Sequence, residues 1–71
     1  MKMPTPFRVH NHGKVRHFFY CNEDEARRAC EIARKQEGDF GRQKPGQMIE
    51  VPDEIWGTAY RVVVAAPVGE A

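Results

Sequence analysis

The first 21 residues contain no carboxylate, although they hold Lys2, Arg8, Lys14, Arg16 and all 3 histidines of the chain. Cysteine is scarce as well. Cys21 and Cys30 are too few for the disulfide framework of a secreted mini-domain, and in a reducing compartment both are expected to stay thiols. No apolar run approaches the ~18 residues of a membrane-spanning helix. The Met1-Lys2-Met3-Pro4 start lacks the apolar stretch of a signal peptide, so a cytoplasmic location without membrane contact is expected. A large net charge is missing too: 11 Lys+Arg against 10 Asp+Glu leave +1, which gives no global attraction to nucleic acid. Electrostatic arguments must therefore rest on where charges lie.

What is present suits one small domain spanning residues 1–71. A chain of this length buries about 60% of its unfolded surface, which leaves little room for a deep substrate cavity. Hydrophobic content of 41% and charged content of 30% are ordinary for a globular protein. Residues 1–6 carry Pro4 and Pro6 and read as a loosely held arm, since each proline removes a backbone donor.

Residues 7–21, FRVHNHGKVRHFFYC, read as a β-hairpin feeding a helix. With a His12-Gly13 turn, in which Gly13 supplies the positive φ, strand one covers residues 7–11 and strand two residues 15–21. Phe7 then lies opposite Phe18 and Val9 opposite Arg16. Phe7, Val9, Phe18 and Tyr20 share one face, while Arg8, His10, Val15, His17, Phe19 and Cys21 share the other. That second face is a cationic and aromatic strip.

Asn22 is a good N-cap, and Glu23, Asp24 and Glu25 place carboxylates where the helix dipole favours them. The helix is expected over residues 23–37, with Gly38 at the C′ position. Ala26, Ala29, Cys30 and Ala33 form its apolar stripe, with Ile32 at the margin. Cys30 reads as a small buried residue. The outward charges pair as Glu23 with Arg27, Asp24 with Arg28 and Glu31 with Lys35, which marks a solvated face rather than a nucleic-acid helix.

Residues 38–47 are Gly-rich and polar and read as a long loop carrying Phe40, Arg42 and Lys44. A short strand over residues 48–51 follows. Residues 52–57 then suggest one helical turn, because proline suits a first helical position. Residues 58–66 read as a central β-branched strand with Tyr60, Val62 and Val64 on one face and Ala59, Arg61 and Val63 on the other. Pro67 ends it, and the tail to Ala71 should fray. The fold class is α+β: an antiparallel sheet of three to four strands with one helix on a face, ββαββ, or ββαβ if the short strand fails.

Chemistry finds little support in the residue pattern. His10, His12, His17, Cys21 and Cys30 could supply zinc ligands, but no CxxC, HxxxH or CxxH knuckle is present. Cys21 precedes a helix N-terminus, which favours a thiolate, yet no third residue orients a Cys21–His17 pair. Gly38, Gly41 and Gly46 lack the flanking strand, Lys-Ser/Thr pair and helix of a phosphate loop. No enzyme, metal or cofactor is expected. Trp56 reads as core.

The hairpin over residues 7–21, the single helix over 23–37 and the closing strand over 58–66 together resemble the small inhibitor proteins of phages and mobile elements, the anti-CRISPR type in particular. The resemblance lies in size and layout. It implies a non-enzymatic inhibitor acting in the host cytoplasm, docking on a CRISPR effector complex and blocking DNA or guide access. The residues expected to make the contact are Arg8, Lys14, Arg16, His17 and Phe19 on the hairpin, with Phe40, Arg42 and Lys44 in the loop. Three alternatives stay open. The acidic residues Glu23, Asp24, Glu50, Asp53 and Glu54 could mimic phosphates instead; the basic and aromatic hairpin could bind nucleic acid; or the protein could be a dimeric regulatory subunit paired through its sheet edges.

Overall fold

Gly13 decides how the first two strands pair. In the computed structural model, which describes residues 3–36, 38 and 40–66, Gly13 lies at φ 66 and is followed by Lys14 in the turn between β1 (Arg8–His12) and β2 (Val15–Tyr20). Only the first central residue has positive φ, the pattern of a type II′ hairpin turn. The turn is thus Gly13-Lys14 rather than His12-Gly13. Val9 pairs with Phe18 and Asn11 with Arg16, correcting the expected register by two residues. Because side chains alternate with period two, a slip of two leaves the paired residues of both strands on their expected faces.

Asn22 caps α1 (Glu23–Arg34), its Oδ1 accepting the N–H groups of Asp24 at 2.8 Å and Glu25 at 3.3 Å. Glu23 and Arg27 form the expected ion pair. The helix stops at Arg34 with Lys35 as its cap, before the predicted exit. Gln36 has already left the helix, and its Oε1 accepts the Ala65 N–H at 2.9 Å, tying the helix exit to the sheet. Gly38 is therefore not the C′ residue. Glu37, the predicted last helical residue, lies outside the described residues, as do Met1, Lys2 and the predicted tail from Pro67.

The chain then runs without helix or strand, among the described residues, to β3 (Met48–Asp53) and β4 (Gly57–Ala65). Gly46, at φ 93, donates to Val63 O while Val63 donates to Gln47 O, so two residues face one in a glycine bulge. The expected helical turn over 52–57 does not form. Pro52 continues β3, which it can do because β3 is an edge strand. Asp53 Oδ1 instead accepts N–H groups from Ile55 and Trp56, both at 2.9 Å, and Gly57 at φ 78 closes the turn.

The sheet has the order β1-β2-β4-β3 with every neighbour antiparallel. The fold is the expected α+β class, with four strands. α1 packs the predicted stripe of Ala26, Ala29, Cys30 and Ala33 against Tyr20, Val62 and Val64, with Phe18, Met48 and Tyr60 around them. Alanines at the contact let the helix sit close to the sheet. The N-terminal arm, expected to be loose, is held from residue 3 onward. Met3 packs on this core, and the Tyr20 hydroxyl donates to Pro4 O at 2.7 Å.

Candidate functional site

The sheet face turned away from α1 carries the unusual side chains. Register places Arg8, His10 and His12 of β1 beside Val15, His17 and Phe19 of β2, then Arg61 and Val63 of β4. Ile49, Val51 and Asp53 of β3 complete it. Asp53 is the one carboxylate that the strands place here.

This face is a cup rather than a plane. Arg8 and Asp53 lie at opposite corners, three strands and four residues apart, roughly 19 Å on a flat sheet. Yet Arg8 Nη1 reaches Asp53 Oδ2 at 3.3 Å, and the rings of Phe7 and Trp56 approach to 6.2 Å between centroids. The tip of the β3–β4 hairpin therefore curls over one end of the face, an exaggerated form of the ordinary sheet twist. At the other end the loop reaches in, bringing Gln43 Oε1 to 3.2 Å from His17 Nε2. Enclosure from both ends accounts for the burial of Val15, Phe19, Ala59 and Val63, although no helix covers them.

Within the cup the imidazoles touch. His12 and His17 stack at 4.0 Å between centroids with 27° between planes, His10 meets Phe19 edge-on at 4.9 Å, and the Arg8 guanidinium lies 5.9 Å over the Phe19 ring. Burial lowers the proton affinity of His17. The Gln43 contact offsets part of this, and the charges of His12, Arg61 and His10 lower it further. Asp53 is held below the usual carboxylate range, first by the Trp56 N–H, which outweighs desolvation, and then by the Ile55 N–H and the Arg8 charge. Its side chain is only 3% exposed. Asp53 is thus a structural clamp and offers no surface to a partner.

The structure brings together only some of the residues singled out from sequence. Arg8, His17 and Phe19 share the cup. Arg16 lies on the opposite face, where it lines a hollow with Met3, Phe18, Ile32 and Gln36. Lys14 occupies the hairpin turn and is exposed. Phe40 and Lys44 line a separate open hollow of about 510 Å³ beside Arg34 and Gln36, and Arg42 is exposed on the same loop. Trp56, read as core, is instead 54% exposed at the hairpin tip, where its neighbour Ile55 is 75% exposed.

Sequence reasoning placed His10 on this face but gave it no binding role, and it gave none to His12 or Arg61. The signal for His10 and His12 was available in the HxH spacing, which puts both rings on one side of a strand. Arg61 was legible as an arginine amid the apolar β4 run.

Among the described residues no three ligating side chains converge on a metal position. His12 and His17 stack face to face rather than directing lone pairs at a common point. Cys30 is buried on the sheet-facing side of α1, where burial pushes its thiol up despite the Arg34 charge, whereas Cys21 is exposed. The two sulfurs do not share a site. No family model matches the chain, and neither a curated protein nor a solved structure matches it.

Proposed function

We propose that this protein acts by binding, without chemistry of its own, and that it docks through the cup on its helix-free face. The observation that carries this reading is one of charge: Arg8, His10, His12, His17 and Arg61 converge on a face whose single strand carboxylate is sequestered under Arg8 and two backbone N–H groups. An acidic partner surface complements it. Trp56, Phe7 and Ile55 at the rim add the aromatic and apolar contacts that anchor protein interfaces. About 800 Å² on each side suffices for a stable contact, which a domain of this size can supply.

The likeness in size and layout to anti-CRISPR inhibitors supplies the partner class. The protein seats on an effector complex and denies it DNA or guide access. A tagged pull-down from a bacterial lysate containing such a complex, with and without nuclease, tests this. Effector subunits retained after nuclease support the inhibitor; their absence in both arms removes that partner. Charge reversal locates the surface. The pair His10→Glu and His12→Glu should abolish capture, whereas Glu50→Lys with Glu54→Lys should leave it intact, and the opposite pattern replaces the cup with phosphate mimicry.

A second reading is favoured by the accessible rings of His10 and His12 next to Arg8, since aromatic planes and cations also hold single-stranded nucleic acid. Nuclease-sensitive recovery of DNA or RNA alone selects it.

A further inference from the structure

Arg61 occupies the middle of β4, a strand with neighbours on both sides, directly opposite Phe19 of β2 and Ile49 of β3. The β4 residues that flank it on this face, Ala59 and Val63, are small or apolar and buried. Arg61 is half-buried, and its Nε is sealed from solvent with no hydrogen-bond partner. A buried donor left unpaired is destabilising, and few native groups are left so without a cause. The carboxylate that register brings to this face cannot relieve it. Asp53 is committed to Arg8, Ile55 and Trp56.

Resting on the docking reading above, we infer that Arg61 is the anion seat of the cup and takes a carboxylate from an acidic protein segment laid between the hairpin tip and the loop, with His10, His12 and His17 as flanking donors. The guanidinium fork suits a carboxylate bidentately through its two outer nitrogens, which are not sealed as Nε is, and Nε itself takes no part in the contact. The groups facing the seat are Arg8, His10 and His12 from β1, His17 from β2, Asp53 from β3 and the neutral Gln43 from the loop. The balance is cationic, two guanidinium groups against one carboxylate. A protein segment is favoured over a nucleic acid because the chain as a whole is close to neutral, whereas Trp56, Phe7, Ile49 and Ile55 give the cup an exposed apolar border.

Fluorescence anisotropy with a labelled decaglutamate peptide, run beside a labelled oligothymidylate of equal length at about pH 7.5, tests the inference. The peptide should bind more tightly than the oligonucleotide. Arg61→Met should weaken peptide binding about tenfold or more without lowering the unfolding midpoint, because the substitution also removes an unpaired donor. Arg61→Gln carries the same binding expectation should the methionine variant fold poorly. His10→Gln with His12→Gln should weaken it by a smaller factor. Peptide binding that survives loss of Arg61 but not His10→Glu with His12→Glu overturns the seat and leaves the docking face standing. Preference for the oligonucleotide, or binding of neither probe, overturns both.

Discussion

Two single side chains hold this fold at points where a helix must begin or an arm must be fixed. Asn22 satisfies two of the N–H groups that α1 would leave unpaired. Asn22→Ala should cost about 1 kcal/mol in denaturant unfolding, with α1 still formed by circular dichroism. Tyr20 is buried in the core, and burial raises its hydroxyl well above the ordinary tyrosine range, aided by the Glu25 charge, so it remains a donor to Pro4 O. Tyr20→Phe leaves that carbonyl unpaired and should cost about 1 kcal/mol while freeing the arm to early proteolysis. His17 contributes a pH dependence. Burial holds its folded proton affinity below that of an ordinary imidazole, so near that range the unfolded chain binds the proton more readily than the fold does. Stability should therefore be full above the unfolded value and fall as pH drops through the window between the two. Urea midpoints between about pH 7.5 and about pH 5 should show the decline, and His17→Gln should flatten it.

The elements themselves were largely readable, because their signals are local. The N-cap and carboxylates that open α1, its alanine stripe, and the β-branched run of β4 each act within a few residues. The stripe makes a strong claim about spacing: Ala29 is wholly buried between helix and sheet. Ala29→Leu should push the two apart and cost about 1–3 kcal/mol by calorimetry or denaturant unfolding. Misplaced boundaries occur where a distant partner decides. α1 ends early where Gln36 turns to bond Ala65, 29 residues away. β3 continues through Pro52 because the fold leaves it on an edge, a fact hidden from the local pattern. Gly46 belongs with these. Its left-handed φ of 93 and the closeness of Arg34, whose Cα would lie 3.2 Å from an added Cβ, leave no room for a side chain. Gly46→Ala should lower the unfolding midpoint more than Gly41→Ala, where nothing lies within 4 Å of an added Cβ.

Over the whole molecule, the candidate site depends on curvature. On a flat sheet the helix-free face would be an open strip with Arg8 and Asp53 far apart; curled, it encloses Phe19 and Val63 and gathers its cations into one concavity. Docking there should weaken steeply with added salt, because the attraction is between exposed charges screened within about 8 Å at physiological ionic strength. Comparing capture at low and high salt checks this. Asp53→Asn keeps the turn acceptor but weakens the clamp to Arg8, and it should loosen capture more than it lowers the unfolding midpoint.

The amino-acid sequence by itself determined the α+β class, the order of elements, the stripe that α1 buries and the partition of hairpin residues between two faces. Each follows from a short periodicity or a capping signal, and the partition survived a wrong turn because a two-residue slip preserves it. Only the tertiary structure decided which of the basic and aromatic residues lie together on one face. Arg16 and Phe40 left the group, Arg61 entered it from a strand more than 40 positions away, and Trp56 moved from presumed core to exposed rim. Those outcomes depend on strand order and on how far the sheet twists, both set by contacts between residues remote in the chain, to which local pattern is blind.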